Sequence, residues 1–173
     1  MRWGRWGGSG VDVAVEAIAG VRLRLQDLGR RLVVTLGRMS PEDLAWRPNA
    51  GSNSAAHLVL HVCGNLRQRF HAGLGGAEDD RDRDGEFSAV GPWTSAGLVA
   101  MVESTFAHAD AVLAALPPAR LGERLAIRGQ ETTVLEVLLR VPVHLAEHVG
   151  QVAYIAKARL GEGFASLSIP RGR

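Results

Sequence analysis

Six histidines punctuate this 173-residue chain, and four of them fall into two pairs of one spacing: His57 with His61, and His144 with His148. On an α-helix, residues four apart are separated by about 40° around the axis and one turn along it. Both imidazoles of each pair therefore share a face and can grip one ion. His61 lies between Leu58 and Val62, and His144 and His148 lie beside Leu145 and Val149, on apolar stripes that should turn inward. Neutral imidazole suits Zn, Ni, Cu or Fe. Three protein ligands leave a coordination position open for water or substrate, the arrangement of catalytic rather than structural sites. The same spacing also fits hydrogen-bonded core histidines, and spacing alone leaves both readings open.

Four long helices must hold these rings. Ile18, Val21, Leu25, Leu28, Leu32 and Leu36 recur in steps of three and four, predicting a first helix from about Asp12 to Arg38. Ser40-Pro41-Glu42-Asp43 is a helix start and predicts a short helix that stops before Pro48. A second long helix begins after Ser52 or Asn53, carries Ala55, Leu58, Val62, Leu66 and Phe70, and ends near His71 to Gly73. The polar stretch from Gly75 to Trp93 predicts a long connection. A third helix runs from Thr94 or Ser95 to Pro117, and residues 119–131 read as a loop. A fourth spans about Thr132 to Leu160, with Pro142 expected to kink it. The sum is an all-α four-helix bundle, a class that builds metal sites from facing helices, and its long connection between helices two and three can cross the bundle's end, so simple up-down order is not required. It occupies residues 11–173 as one domain behind a flexible Gly-rich tail, residues 1–10, and an irregular segment from Gly161 closes the chain.

Other chemistries are excluded or weakly supported. One cysteine, Cys63, rules out a disulfide framework and multi-cysteine metal sites. It lies about 200° around the helix from His61 and should be a small buried apolar residue. There is no His-Glu-x-x-His, no Glu-x-x-His, no phosphate loop and no Gly-x-Ser-x-Gly elbow. No run reaches the ~18 uninterrupted apolar residues of a membrane span, and the N-terminus has no apolar signal core; a cytoplasmic protein with no membrane partner is expected. Nineteen of the 20 basic residues are arginine, which lifts the pI to 9.3 although the net charge is +2. The basic residues are scattered and the densest charge run, Glu78 to Asp84, is acidic, so a nucleic-acid role has only the pI behind it. His71 and His108 have no partner at ligand spacing and read as surface or structural residues.

Several blocks resemble a known family. Trp46-Arg-Pro48 followed by Asn53 to Arg67, including Gly64-Asn65-Leu66-Arg67 after the helix-two histidine, resembles the DinB/YfiT-like superfamily, and within it an uncharacterised branch with Gly-Asn-x-Arg at this place. Asp82 to Phe87 is similar to that branch's interhelical loop, His144-x-x-x-His148-x-Gly-Gln151 to its last-helix signature, and Ser168 to Gly172 to its C-terminal tail; the likeness covers about residues 12–172. The resemblance implies a four-helix bundle with a long crossover between helices two and three, and a homodimer binding one divalent ion, Zn or Ni, through His61, His144 and His148. It implies activity with low-molecular-weight thiols, as in S-transfer or isomerisation. His57 departs from the pattern and could be a fourth ligand, a residue orienting a ligand or a bystander; the last two are favoured. Pro142, two residues before His144, is also unusual. Helix geometry adds Asn65, Glu147 and Gln151 as groups able to orient the ligating rings, although Glu147 equally fits a solvated surface acid. Arg67 could receive an anionic substrate group or pair with a nearby acid.

The expected function is thus a divalent-metal-dependent enzyme acting on a small molecule, of thiol S-transferase or isomerase type, with residues 74–93 lining the entrance. The alternative is a non-catalytic metal-binding dimeric bundle, which a site closed by His57 would favour. No residue is marked as general base, so the catalytic residues are left unassigned.

Overall fold

Asp12, whose carboxylate accepts from the Ala14 amide at 2.9 Å, starts the first helix, and the computed structural model describes the chain from there to Phe164. The expected tail at residues 1–10 and the Ser168 to Gly172 block lie outside the described residues. Helix α1 is Val13–Leu36, α2 Pro41–Ala45, α3 Ala55–Leu66, α4 Arg83–Ser88, α5 Ser95–Ala114 and α6 Val134–Leu160. Helices α1, α3, α5 and α6 form a four-helix bundle. α1 and α3 each pack against α5 and α6, so α1 and α3 occupy one diagonal and α5 and α6 the other.

The apolar stripes explain this packing. Ile18, Leu25, Leu32 and Leu36 of α1 are buried, while Val21 and Leu28 flank them half-buried. They meet Leu98, Val102, Phe106, Ala109 and Leu113 of α5 and Leu138, Val141, Leu145, Val149 and Val152 of α6 in one core. α5 is long and apolar enough to cross a membrane by composition, yet here that apolarity is spent on α1 and α3. Arg22 donates two bonds to Asp110, at 2.8 and 2.9 Å, and ties α1 to α5 at the core's edge. α2 is held by a reciprocal cap between Ser40 and Asp43, and Arg159 of α6 reaches Asp43 and Glu42 at 2.8 and 3.0 Å.

Three segments differ from expectation. The helical run begun by α3 ends at Leu74, close to the expected His71 to Gly73, but after Leu66 it widens into a π-helical extension, Arg67–Leu74. The connection expected to be irregular carries α4, capped by Asp82, whose carboxylate accepts from the Gly85 amide at 2.9 Å. α4 packs on α3. Residues 119–131 are not a plain loop. A 3₁₀ turn at Pro118–Gly122 leads into strand β1, Arg124–Ile127, paired antiparallel with β2, Gln130–Thr133. Arg128 and Gly129 join them with φ of 55° and 72°, the two positive values of a type I′ hairpin turn. Thr132 consequently belongs to a strand, and α6 starts after its capping residue Thr133. α6 stays helical through Pro142, which leaves the Leu138 carbonyl without its helical donor. From Gly161 the chain makes a 3₁₀ turn and buries Phe164.

Two leucines on α1 make the packing testable. Leu32 is fully buried and Leu23 is 66% exposed. Leu32→Ala is expected to cost about 2–5 kcal/mol, and Leu23→Ala within about 0.5 kcal/mol of nothing, by urea denaturation. Equal losses would mean that the core is not packed as described.

Candidate metal centre

Ser54 caps α3 and sets the phase of the two helix-two histidines. His57, at the third helical position, completes the cap. Its Nδ1 sits 2.7 Å from the Ser54 hydroxyl, and its Nε2 donates to the Ala89 carbonyl at 2.9 Å. Both ring nitrogens are thus engaged away from the other histidines. His57 is a buried structural residue tying α3 to the segment after α4, and it is not placed as a fourth ligand.

One turn later His61 meets the α6 pair. A ring nitrogen from each of His61, His144 and His148 lies within 4.8 Å of the others. The His61 and His144 Nε2 atoms are 3.1 Å apart. Ring centroids are separated by 5.2 Å for His61–His144, 4.8 Å for His61–His148 and 4.5 Å for His144–His148, with interplanar angles of 79°, 82° and 87°. The rings stand nearly perpendicular to one another, and the short separations between their nitrogens define the cluster. The opposite side of each anchored ring is held. His61 Nδ1 donates to Glu86 Oε2 at 2.9 Å, and His148 Nδ1 donates to Gln151 Oε1 at 2.9 Å. A carboxylate can only accept, so His61 carries its proton on Nδ1 and keeps a lone pair on Nε2. His148 Nε2 is buried with no hydrogen-bond partner among the described residues. Glu147, by contrast, is exposed, with its carboxylate 4.0 Å from His144 Nδ1, too far for a hydrogen bond. Asn65 touches none of the rings through a hydrogen bond; its Oδ1 is buried and unpartnered.

This donor set fits a divalent ion. Bonds of about 2.0–2.1 Å to Zn place tetrahedral nitrogens about 3.4 Å apart. The His61–His144 pair is already near that separation, and the widest separation needs only a modest ring rotation to close. Burial pushes the His61 pKa down to about 4, against the pull of Glu86 and with the help of the neighbouring His148 and Arg81. The His144 pKa is lowered by burial first and then by His148. Both changes favour the neutral, metal-ligating form.

Glu86 and Arg81 are the functional residues that sequence reasoning missed. Arg81 grips the Glu86 carboxylate with Nε and Nη2 at 2.7 and 2.8 Å and donates through Nη1 to Gln68 Oε1 at 2.9 Å. Gln68 in turn donates to Asp79 at 2.9 Å. Both charged side chains are nearly inaccessible, at 5% and 9% exposure. Phe87 packs its ring 4.8 Å from that of His61. Segment 74–93 therefore supplies the floor beneath His61. Gly64 permits this approach, since a Cβ there would collide with Glu86 Oε1. Cys63 faces Thr105, and burial pushes its thiol up to about 11, so it offers no thiolate. His71 and His108, unpartnered in sequence, stack with centroids 3.7 Å apart on the other side of α3. Arg67 is exposed and makes no ion pair among the described residues.

Beside His144 opens a cavity of about 150 Å³. Asn65 and Arg69 line it from α3 and its extension, Thr132 from β2, and Val137, Arg140 and Val141 from α6.

Two outcomes follow from this geometry. Gly64→Ala should stabilise α3 by about 1 kcal/mol on propensity alone. It must instead displace the buried Glu86–Arg81 pair, so a net loss of about 1–3 kcal/mol is expected in urea melts. A stabilised variant would mean that Glu86 does not lie against α3. In metal-free protein, folded His61 stays neutral down to about pH 4, while the unfolded chain protonates it near 6.5. The unfolded state then binds more protons between those values, so stability falls as pH drops from about 6.5 to 4. Denaturation midpoints should show wild type losing up to about 3 kcal/mol more than His61→Asn across that window; parallel losses would contradict the burial of a neutral ring.

The fold agrees with that of solved proteins. A DinB-like protein (YjoA) from Bacillus subtilis superposes with a TM-score of 0.66 at 15% identity, covering 87% of this chain and 96% of that one. A DinB-like protein from Bacillus cereus ATCC 10987 gives 0.65 at 13% identity, covering 85% and 95%. YfiT from Bacillus subtilis, described as a probable metal-dependent hydrolase with an unusual four-helix bundle topology, gives 0.67 at 15% identity, covering 92% and 94%. No curated protein matches the sequence. Residues 12–173 match the family described as protein of unknown function DUF1572. The chain belongs to that family, and its bundle has the DinB/YfiT-like fold.

Proposed function

We propose that this protein is a divalent-metal-dependent enzyme whose ion is held by His61, His144 and His148. The observation that carries the reading is the convergence of three imidazole nitrogens, one of them the buried, unpartnered Nε2 of His148. The His61 and His144 Nε2 atoms, 3.1 Å apart, are close enough to bind one shared cation. Zn and Ni both suit this set.

Bound there, such an ion would acidify a water or thiol in its open position or polarise a substrate carbonyl. The chain's own residues do the rest. Glu86 holds the His61 proton on Nδ1, and Gln151 does the same for His148. Arg81 holds the Glu86 carboxylate with two bonds and so fixes its orientation toward His61. Phe87 covers the outer face of the His61 ring from water. The engagement of His57 with Ser54 and Ala89 supports an open fourth position, and with it turnover over a purely structural site. The cavity beside His144 supports a small-molecule substrate. YfiT, named as a probable hydrolase, and the thiol-dependent transfer or isomerisation read from the motifs share one requirement, a nucleophile made at that open position. Thiol S-transfer or isomerisation, in a homodimer, is our specific form of the reading.

Purified protein is expected to carry about one divalent ion per chain by elemental analysis, and His61→Ala or His148→Ala to lose most of it. Equal metal content in all three would remove the site. With the ion present, electrophiles offered with glutathione, mycothiol or bacillithiol separate thiol transfer from hydrolysis, which proceeds without the thiol.

A further inference from the structure

The cavity beside His144 is lined by two arginines and is short of acids. Arg69, half-buried on the π-helical extension, makes no ion pair among the described residues. Arg140 has one contact, 3.7 Å from Glu136 on the exposed face of α6. Burial lowers the Arg69 pKa, and Arg140, Arg81 and Arg128 lower it further, against a smaller opposing pull from Asp79. Arg81 is already neutralised by Glu86; Arg69 has no such counter-ion. Asn65, 8% exposed, borders the same space, and its Oδ1 finds no partner.

A half-buried guanidinium without a carboxylate, as at Arg69, is costly unless something completes it. A planar guanidinium fork matches a carboxylate or phosphate with two parallel bonds. A buried, unsatisfied amide oxygen calls for a donor such as a hydroxyl or amine. We infer that the cavity between Arg69 and Arg140 binds the anionic oxyacid group of a small substrate that also bears a hydrogen-bond donor toward Asn65. The volume of about 150 Å³ admits such a group and a few further atoms. His144 closes one side of the cavity, so an anion held by Arg69 presents the rest of its molecule to the three-imidazole centre. That orientation, though not the anion binding itself, rests on the metal-centre reading above. The π-helical geometry of 67–74 fits this role, because such wide turns recur where a helix serves a site. It also distinguishes Arg69 from its neighbour Arg67, which points to solvent and lines no part of the cavity.

The test titrates inorganic phosphate, and in a second arm glycolate, into full-length protein at constant ionic strength by calorimetry. It is done both as purified and after chelation. Binding in both preparations is expected, weakened at least tenfold by Arg69→Gln and by Arg140→Gln, and unchanged by Arg67→Gln. Arg140 is largely exposed, so its variant folds even if that of Arg69 does not. Tighter glycolate than phosphate assigns a carboxylate carrying a donor, and the reverse assigns a phosphate; either supports the inference. No binding at millimolar concentration, or equal weakening by Arg67→Gln, overturns it. Purified protein that carries no metal yet binds the anion would sink the metal centre alone, and full metal content without anion binding would sink this inference alone.

Discussion

A single buried carboxylate governs the centre of this protein. Glu86 sits at the meeting point of Arg81, His61 and the backbone of α3, with almost no access to water. The two-pronged grip of Arg81 fixes the orientation of Glu86, and the carboxylate, as an acceptor, then dictates which nitrogen of His61 holds the proton. Everything on the far side of the ring follows. Nε2 is left as a lone pair, facing His144 and His148 across a few ångströms. The direction of chemistry is set from behind the imidazole, not in front of it.

The same logic orders the surroundings by charge. Arg81, beside the His61 ring, is paired with Glu86; Arg69 has no such partner among the described residues, and Arg140 has only a 3.7 Å contact with Glu136. A cation at the imidazole centre would stand beside a cavity already rich in positive potential. Only a ligand with negative charge lowers the energy of that combination, and a low-dielectric wall of Val137 and Val141 strengthens the attraction.

The part of this design that lies within one helix was legible in the sequence. Spacing of four placed His144 beside His148, and the apolar stripes of α3 and α6 turned both pairs of histidines toward the bundle interior. Spacing could not separate His57 from His61. The first turn of α3 points its third residue back at the capping serine, and recognising that required knowing that Ser54, not Ser52 or Asn53, begins the helix. Arg81 and Glu86 were hidden for a different reason. They reach His61 from 20 and 25 residues away, inside a run so charged that each acid looked solvated. The stacking of His71 on His108 is likewise a tertiary contact between α5 and the extension of α3. The hairpin at 124–133 escaped notice because its strands are four residues each and its turn uses Arg-Gly, where Asn-Gly is the usual signal.

Gly64 shows how a residue without chemistry can be part of a chemical site. A glycine inside an α-helix costs stability relative to alanine, and nothing in the helical pattern of α3 asks for one. Its motif, Gly64-Asn65, becomes physical once α4 is in place. The missing Cβ lets the Glu86–Arg81 pair lie directly on the helix backbone, one turn beyond His61. Asn65, the next residue, then rotates into the cavity on the α6 side. One dipeptide thus faces two ways, toward the carboxylate that orients the ring and toward the pocket that receives a ligand. The helix gives up propensity at one position and gains a shared wall between the two halves of the site.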